Sequence, residues 1–255
     1  MVVEAESEGR EVRIEQVREL QRSLSLSPYQ APYRVALLRN LQDATPSAQN
    51  ALLKTLEEAP AKVILLVTAA SPESLLPTIV SRCEVMRLRP LPLETVAAYL
   101  HARMGLPEPQ ARLLAHLSGG RPGYALRLHD DPAALERRQG LLEAVPDLLK
   151  RTRRGRFAYI DLLMRERDKQ RQMMRLALET WSSFWRDVLL VVSQAQAPLT
   201  NLDRAGEIQA IAGRVDLATA HRLVSRIDDA LQNLDRNANV RLLGEVLLLD
   251  WPYLQ

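Results

Sequence analysis

The sequence predicts a mostly helical protein carrying one partial α/β unit near its N-terminal end. Two observations lead there. The 255 residues include 46 Leu and 30 Ala against only 2 Phe and 10 Gly; Leu and Ala are strong helix formers, whereas β-branched and aromatic residues favour strands. Continuous strand-like apolar runs are confined to the first ninety residues, and helical spacing takes over after Pro90-Leu91-Pro92.

Each element has its own signal. Ile14, Val17, Leu20 and Leu24 recur at helical spacing, and the pattern ends at Ser27-Pro28. Arg34-Val35-Ala36-Leu37-Leu38 is an apolar run of buried-strand length. Thr45-Pro46 supplies an N-cap and a first-turn proline for a helix over 47–58, which stops at Ala59-Pro60. Val63-Ile64-Leu65-Leu66-Val67-Thr68 is the best strand in the chain, and such an unbroken run suits a parallel sheet covered on both faces. A short helix is expected near 77–81 and a further strand over 84–88. Helical patterns then fill 93–103, 109–117, 122–128 and 133–149. After a basic stretch at 150–156 come long helices over roughly 157–195, 203–213, 217–235 and 239–250. The expected organisation is a partial α/β domain over 1–90, a small helical domain over 91–150 and a larger helical domain over 151–255.

Charge and composition exclude several classes. With 34 Lys+Arg against 31 Asp+Glu the net charge is +3, too small to make the whole surface a nucleic-acid-binding face, although a local patch could serve. The single cysteine, Cys83, rules out an internal disulfide framework and any multi-cysteine zinc site. Residues 1–10 are acidic and polar, unlike a secretory leader, and no apolar run approaches the length of a membrane span. A soluble cytoplasmic protein is expected.

Several chemistries leave no trace. The glycines stand at 9, 105, 119, 120, 123, 140, 155, 206, 213 and 244, and none precedes a Lys, so no phosphate-cradling P-loop can be built from them. Gly119, Gly120 and Gly123 have the wrong spacing for a dinucleotide fingerprint. His101, His116, His129 and His221 lack a second ligand at i+3 or i+4, so no metal site is expected. No Gly-x-Ser-x-Gly elbow occurs. Asp130-Asp131 and Asp228-Asp229 are adjacent pairs, which diverge on a helix and read as caps or solvated faces. The run 150–156 holds five basic residues in seven; it reads as an interdomain linker in preference to a phosphate contact, with Phe157 and Tyr159 the only nearby rings for base stacking.

Two segments rise above this background. Asp43-Ala44-Thr45 leads into Asn50-Ala51-Leu52-Leu53-Lys54-Thr55-Leu56-Glu57-Glu58-Ala59-Pro60, and the strong strand leads through Ser71-Pro72-Glu73 into Leu75-Leu76-Pro77-Thr78-Ile79-Val80-Ser81-Arg82-Cys83. Together with Asp235-Arg236-Asn237-Ala238-Asn239-Val240-Arg241-Leu242-Leu243 near the end, they closely resemble the bacterial DNA polymerase III clamp-loader subunits of the AAA+ superfamily, over essentially the whole chain. The resemblance implies a truncated AAA+ α/β domain without its P-loop region, a helical lid and a helical collar that oligomerises.

Within that family the strand preceding the helix ends in an Asp-Glu pair that handles Mg²⁺ and the attacking water. Here Arg39-Asn40 stand in that place. The lid stretch Gly120-Arg121-Pro122-Gly123-Tyr124-Ala125-Leu126 puts Gly123 where motor subunits carry a sensor arginine, a form closer to the delta prime branch than to gamma/tau. The resemblance therefore implies no intrinsic ATPase and no cofactor, in an accessory subunit of a DNA-directed DNA polymerase holoenzyme. It implies that Arg82, in Ser81-Arg82-Cys83, is an arginine finger given in trans to a neighbour's ATP site; read on its own, Arg82 could also be a surface arginine at a helix C-terminus. Ser81 could equally bond a spare helix carbonyl, and Cys83 reads as a small, unreactive apolar residue entering the sheet. Thr68 takes the sensor-1 place in a structural role, and Lys54, Thr55, Glu57 and Glu58 read as helix-face residues at a subunit contact or in solvent. The implied partners are gamma/tau and delta subunits, with the sliding clamp and primed DNA reached through the assembly. Two rival readings are a fragment of an active gamma/tau-like ATPase and a helical scaffold with no loader role.

Overall fold

A computed structural model of the chain describes residues 2–3, 12–25, 32–58 and 62–254. Helix makes up 68% of it, with one small sheet, so the fold is mostly α with a partial α/β unit, as the composition implies. It divides into two compact units, Met1–Leu88 and Arg89–Gln255. The expected helix stops at Ser27-Pro28 and Ala59-Pro60 lie outside the described residues.

The first unit is built on three parallel strands in the order β1 (Val2–Val3), β2 (Arg34–Leu38), β3 (Val63–Val67). Register pairs Ala36 with Leu65 and Leu38 with Val67, so these four side chains share one face. Helices α1 (Ile14–Leu24), α2 (Pro46–Glu57) and α3 (Pro77–Val80) pack on that face. They bury Val17, Leu20 and Leu24 of α1, Ala48 and Leu52 of α2 and Ile79 of α3 against Ala36 and Leu38. Thr45 caps α2 as expected: its side chain accepts from the Ala48 N–H at 3.2 Å.

Two expectations need correction here. The sheet is covered on one face only among the described residues. Val35, Ile64 and Leu66, on the opposite face, are 47, 41 and 49% exposed, because all three helices fall on the Ala36–Leu65 side. Residues 84–88 form no strand and pair with no described strand, and Met86 and Leu88 are 79 and 92% exposed. Residue pattern favours extended backbone, but a strand also needs a ladder partner, and a partner is a non-local property.

The second unit is all helical. Helices α4 (Leu93–Met104), α5 (Glu108–Leu117) and α6 (Pro122–Asp130) enclose a small core of Val96, Leu100, Ala111, Leu114 and Ala125. Gly119 and Gly120 serve the backbone at its edge. Gly120 has φ +77°, and a Cβ there would fall 2.1 Å from the Leu91 carbonyl oxygen, while the Leu91 N–H donates to the Gly120 carbonyl at 2.8 Å.

Helix α7 (Pro132–Lys150) touches that core through Leu135 and continues into a larger one through Leu141, Leu142, Val145, Leu148 and Leu149. This larger core is organised round α9 (Gln170–Val192), against which α7, α8 (Arg153–Leu163), α10 (Ala205–Ala212), α11 (Leu217–Asp235) and α12 (Val240–Leu249) all pack. Trp181, Phe184 and Trp185 of α9 are fully buried. Trp251 meets Trp181 and Trp185 edge-on, with ring centroids 5.3 and 5.5 Å away.

The helix expected over 157–195 is broken between α8 and α9. Arg165-Glu166-Arg167-Asp168-Lys169 offers five charges in a row and no apolar anchor, and the chain turns there so that α8 can lie on α12. Helices α8 and α9 both approach α12 closely at Gly244: a Cβ there would come 2.5 Å from Met174 Cε of α9 and 2.9 Å from Ile160 Cδ1 of α8.

Tyr159 of α8 packs on Trp181 with centroids 6.4 Å apart, and burial pushes its phenol up to about 12. An unfolded tyrosine ionises near pH 10. From about pH 10 upward the unfolded state thus sheds a proton that the native state keeps, and stability falls as pH rises. Tyr159→Phe should flatten that alkaline loss while leaving stability at pH 7 within about 1 kcal/mol, checked by urea unfolding at pH 7 and pH 11.

Candidate functional site

The Ser81-Arg82-Cys83 segment leaves the end of α3, and its placement begins with Gln49. Gln49 is only 7% exposed. Its amide nitrogen donates to the carbonyls of Leu41 (3.4 Å) and Ala44 (3.2 Å), and its amide oxygen accepts from the Leu76 N–H (3.4 Å). One side chain thus ties the loop after β2, the start of α2 and the residue that opens α3. Ile79, fully buried one turn on, pins α3 to the sheet. Gln49→Leu should strand these backbone groups at a cost of about 2 kcal/mol. That is readable as a drop of roughly 10 °C in the unfolding midpoint of the first unit.

From that anchored turn Ser81 and Arg82 both reach back to the same carbonyl. The Ser81 hydroxyl donates to Thr78 O at 3.2 Å and Arg82 Nη1 to Thr78 O at 2.9 Å. Arg82 Nη1 also lies 3.4 Å from Ser81 Oγ, and Nη2 is ion-paired with Glu57 Oε1 at 2.6 Å. The Arg82 side chain remains 36% exposed. Cys83 packs partly buried against the core of the first unit, and burial pushes its thiol up from the ordinary cysteine range, which suits an unreactive residue.

The other residues singled out from sequence divide. Thr68 links the ends of β3 and β2: its Oγ1 accepts from the Asn40 N–H at 3.0 Å and its carbonyl from the Leu41 N–H at 2.9 Å. This holds Asn40 in the left-handed region, φ 52°. Arg39 and Asn40 therefore occupy the C-terminal end of β2. Lys54, Glu57 and Glu58 are exposed. Thr55 is a correction: it is buried in the α1–α2 contact, where Gln21 Nε2 donates to its hydroxyl at 2.8 Å. In the second unit Arg121 precedes α6 and lies over the Tyr124 ring, 5.7 Å from its centroid.

The basic stretch 150–156 is also corrected. It is no linker, because α8 starts within it, capped by Thr152, whose side chain accepts from the Gly155 N–H. Arg151 pairs with Asp147. Arg156 is 4% exposed. Its Nε donates to Leu148 O (3.0 Å), Nη1 to Leu248 O and Trp251 O (both 2.7 Å), and Nη2 to Pro252 O (2.8 Å).

Sequence reasoning also missed a polar knot joining α7, α9 and the loop before α10. Asp187, fully buried, accepts from the N–H groups of Thr200 (3.0 Å) and Asn201 (2.7 Å) and from Asn201 Nδ2 (2.8 Å). Arg138 spans Asp203 with two 2.8 Å bonds and reaches Asn201 Oδ1 at 2.7 Å. Burial alone would raise the Asp203 carboxyl, but Arg138, together with a backbone hydrogen bond and the Arg204 charge, holds the group below the usual carboxylate range. Among the described residues no group of three or more His, Cys, Asp or Glu could hold a metal ion, and no helix is long and apolar enough to cross a membrane.

Among solved structures, a gamma subunit-related protein of DNA polymerase III from Thermotoga maritima superposes with a TM-score of 0.52. The match covers 97% of this chain and 81% of that one at 18% identity, a likeness of fold. Two family models match: DNA polymerase III, delta subunit, over residues 1–92, and DNA polymerase III, delta subunit, C terminal, over residues 132–252. The two models together span most of the chain, which belongs to this family of DNA polymerase III subunits, and several of its relatives carry the name delta'. It is similar to DNA polymerase III subunit delta' of Pseudomonas aeruginosa, at 38% identity over 58% of this chain and 45% of that one. It is also similar to subunit delta' of Bacillus subtilis, at 24% over 95% and 73%, and to subunit tau of Escherichia coli, at 32% over 54% and 22%. The chain spans less than half the length of the Pseudomonas protein.

Proposed function

We propose that this chain acts as a delta-prime-like stator of the DNA polymerase III clamp loader, which does not hydrolyse ATP itself and lends Arg82 to the ATP site of a neighbouring gamma/tau subunit. The observation that carries the reading is the placement of Arg82. It stands at the surface end of an anchored turn, held by Glu57 and Thr78, where a neighbour can reach its guanidinium. An arginine finger stabilises charge that develops on the transferred phosphoryl group, and its planar fork suits that task better than an ammonium. Ser81 assists by sharing the Thr78 carbonyl, and Cys83 by filling the core beneath.

The absence of hydrolysis follows from Arg39-Asn40 at the end of β2. A cation and a neutral amide can neither hold Mg²⁺ nor polarise water as a carboxylate pair does. In this account residues 1–90 present the finger, 91–150 form the lid and 151–255 join the collar, with delta as the other partner subunit. The sliding clamp and primed DNA are reached through the assembly, in the cytoplasm. The similarity to tau subunits favours a second reading, an ATPase fragment, which Arg39-Asn40 opposes.

The test is reconstitution with the gamma/tau and delta subunits of the same organism. The chain alone should show no ATP turnover. It should enter a stoichiometric complex, and leaving it out should abolish clamp- and DNA-stimulated turnover. Turnover by the isolated chain would favour the ATPase reading, and failure to assemble would favour a scaffold.

A further inference from the structure

We infer that Glu57 is the positioning residue for Arg82: it aims the guanidinium that the proposed function assigns to the neighbour's ATP site, and the inference rests on that assignment. Glu57 is the last residue of α2, followed by Glu58. Two carboxylates at a helix C-terminus oppose the macrodipole, where cations are favoured. A local rule broken in this way needs a compensating role, and the ion pair supplies one for Glu57. Its Oε1 holds Arg82 Nη2 at 2.6 Å while the Thr78 carbonyl takes Nη1 at 2.9 Å.

The guanidinium is thereby gripped from the ends of two different helices, α2 and α3, both fixed to the same core by Leu52 and Ile79. An arginine side chain left in solvent would have to lose its rotamer freedom on meeting the phosphate. Here the fork is oriented beforehand, and the N–H groups not spent on Thr78, Ser81 and Glu57 remain for an incoming oxyanion. Surface ion pairs contribute little to stability, so removing this one should leave folding and assembly intact and act on turnover. The pairing also gives the NALLKTLEE segment a task within the chain, in addition to any subunit contact.

The experiment uses the complete loader assembled with this chain and measures kcat and KM for ATP in the presence of clamp and primed DNA. Glu57→Gln keeps the shape and removes the charge; it should lower kcat about tenfold with KM unchanged, the size of a modest misplacement of a reacting group. Glu57→Asp should recover part of the loss. The double variant Glu57→Gln/Arg82→Ala should be no slower than Arg82→Ala alone. If Arg82→Ala is slow but Glu57→Gln turns over at the wild-type rate or faster, the positioning role is wrong and the finger survives. If Arg82→Ala itself is unimpaired, the finger assignment falls and the role of Glu57 with it. Loss of assembly by Glu57→Gln would make it a contact residue, which also overturns the inference.

Discussion

Replacing Arg156 by Ala is expected to destabilise the second unit by about 3 kcal/mol or more. The side chain spends four donors on four backbone carbonyls drawn from two distant stretches of the chain, Leu148 on one side and Leu248, Trp251 and Pro252 on the other. Alanine leaves those oxygens without their donor and opens a void beside Trp251, the ring that meets both Trp181 and Trp185. Because the protein's three tryptophans all lie in this core, fluorescence during urea unfolding reports on it directly. Arg156→Lys should recover only part of the loss, since an ammonium has three donors and no planar fork. A midpoint unchanged in Arg156→Ala would mean that the carbonyls find water at no cost.

This residue also shows where sequence reading stops. In the run 150–156 a count of positive charges suggests a solvated linker, because it cannot say which cation turns inward. Arg156 turns inward because α8 starts at Arg153 and brings it to the end of α12, a contact made across 92 residues of chain. The same limit explains Asp187 and Asn201, whose knot depends on α7 and α9 meeting. Signals that act within a few residues were legible. Thr45-Pro46 opens α2, and α11 occupies 217–235 as its apolar spacing indicates. The strand expected over 84–88 failed because its composition was local information and its pairing was not. The motif around Arg82 could be read from sequence, whereas the carboxylate beside it depends on how the ends of α2 and α3 pack.

Arg82→Ala should have the largest effect on function. A finger supplied in trans is worth roughly 10³–10⁵ in rate at its own site in well-studied GTPases. In a loader with further ATP sites the overall loss should be smaller, on the order of tenfold to a hundredfold, if turnover at the other sites is coupled to this one and slows with it. Folding should hardly change, since the Arg82–Glu57 pair is at the surface and such pairs contribute about 0–1 kcal/mol. Arg82→Lys should restore little, because an ammonium keeps the charge but not the two-pronged geometry. The deciding measurement is clamp- and DNA-stimulated ATP turnover at saturating ATP by a complete loader carrying Arg82→Ala, with assembly verified on the same sample. The result expected of a trans arginine finger is an intact complex with turnover reduced at least about tenfold. An intact complex turning over at the wild-type rate would contradict it.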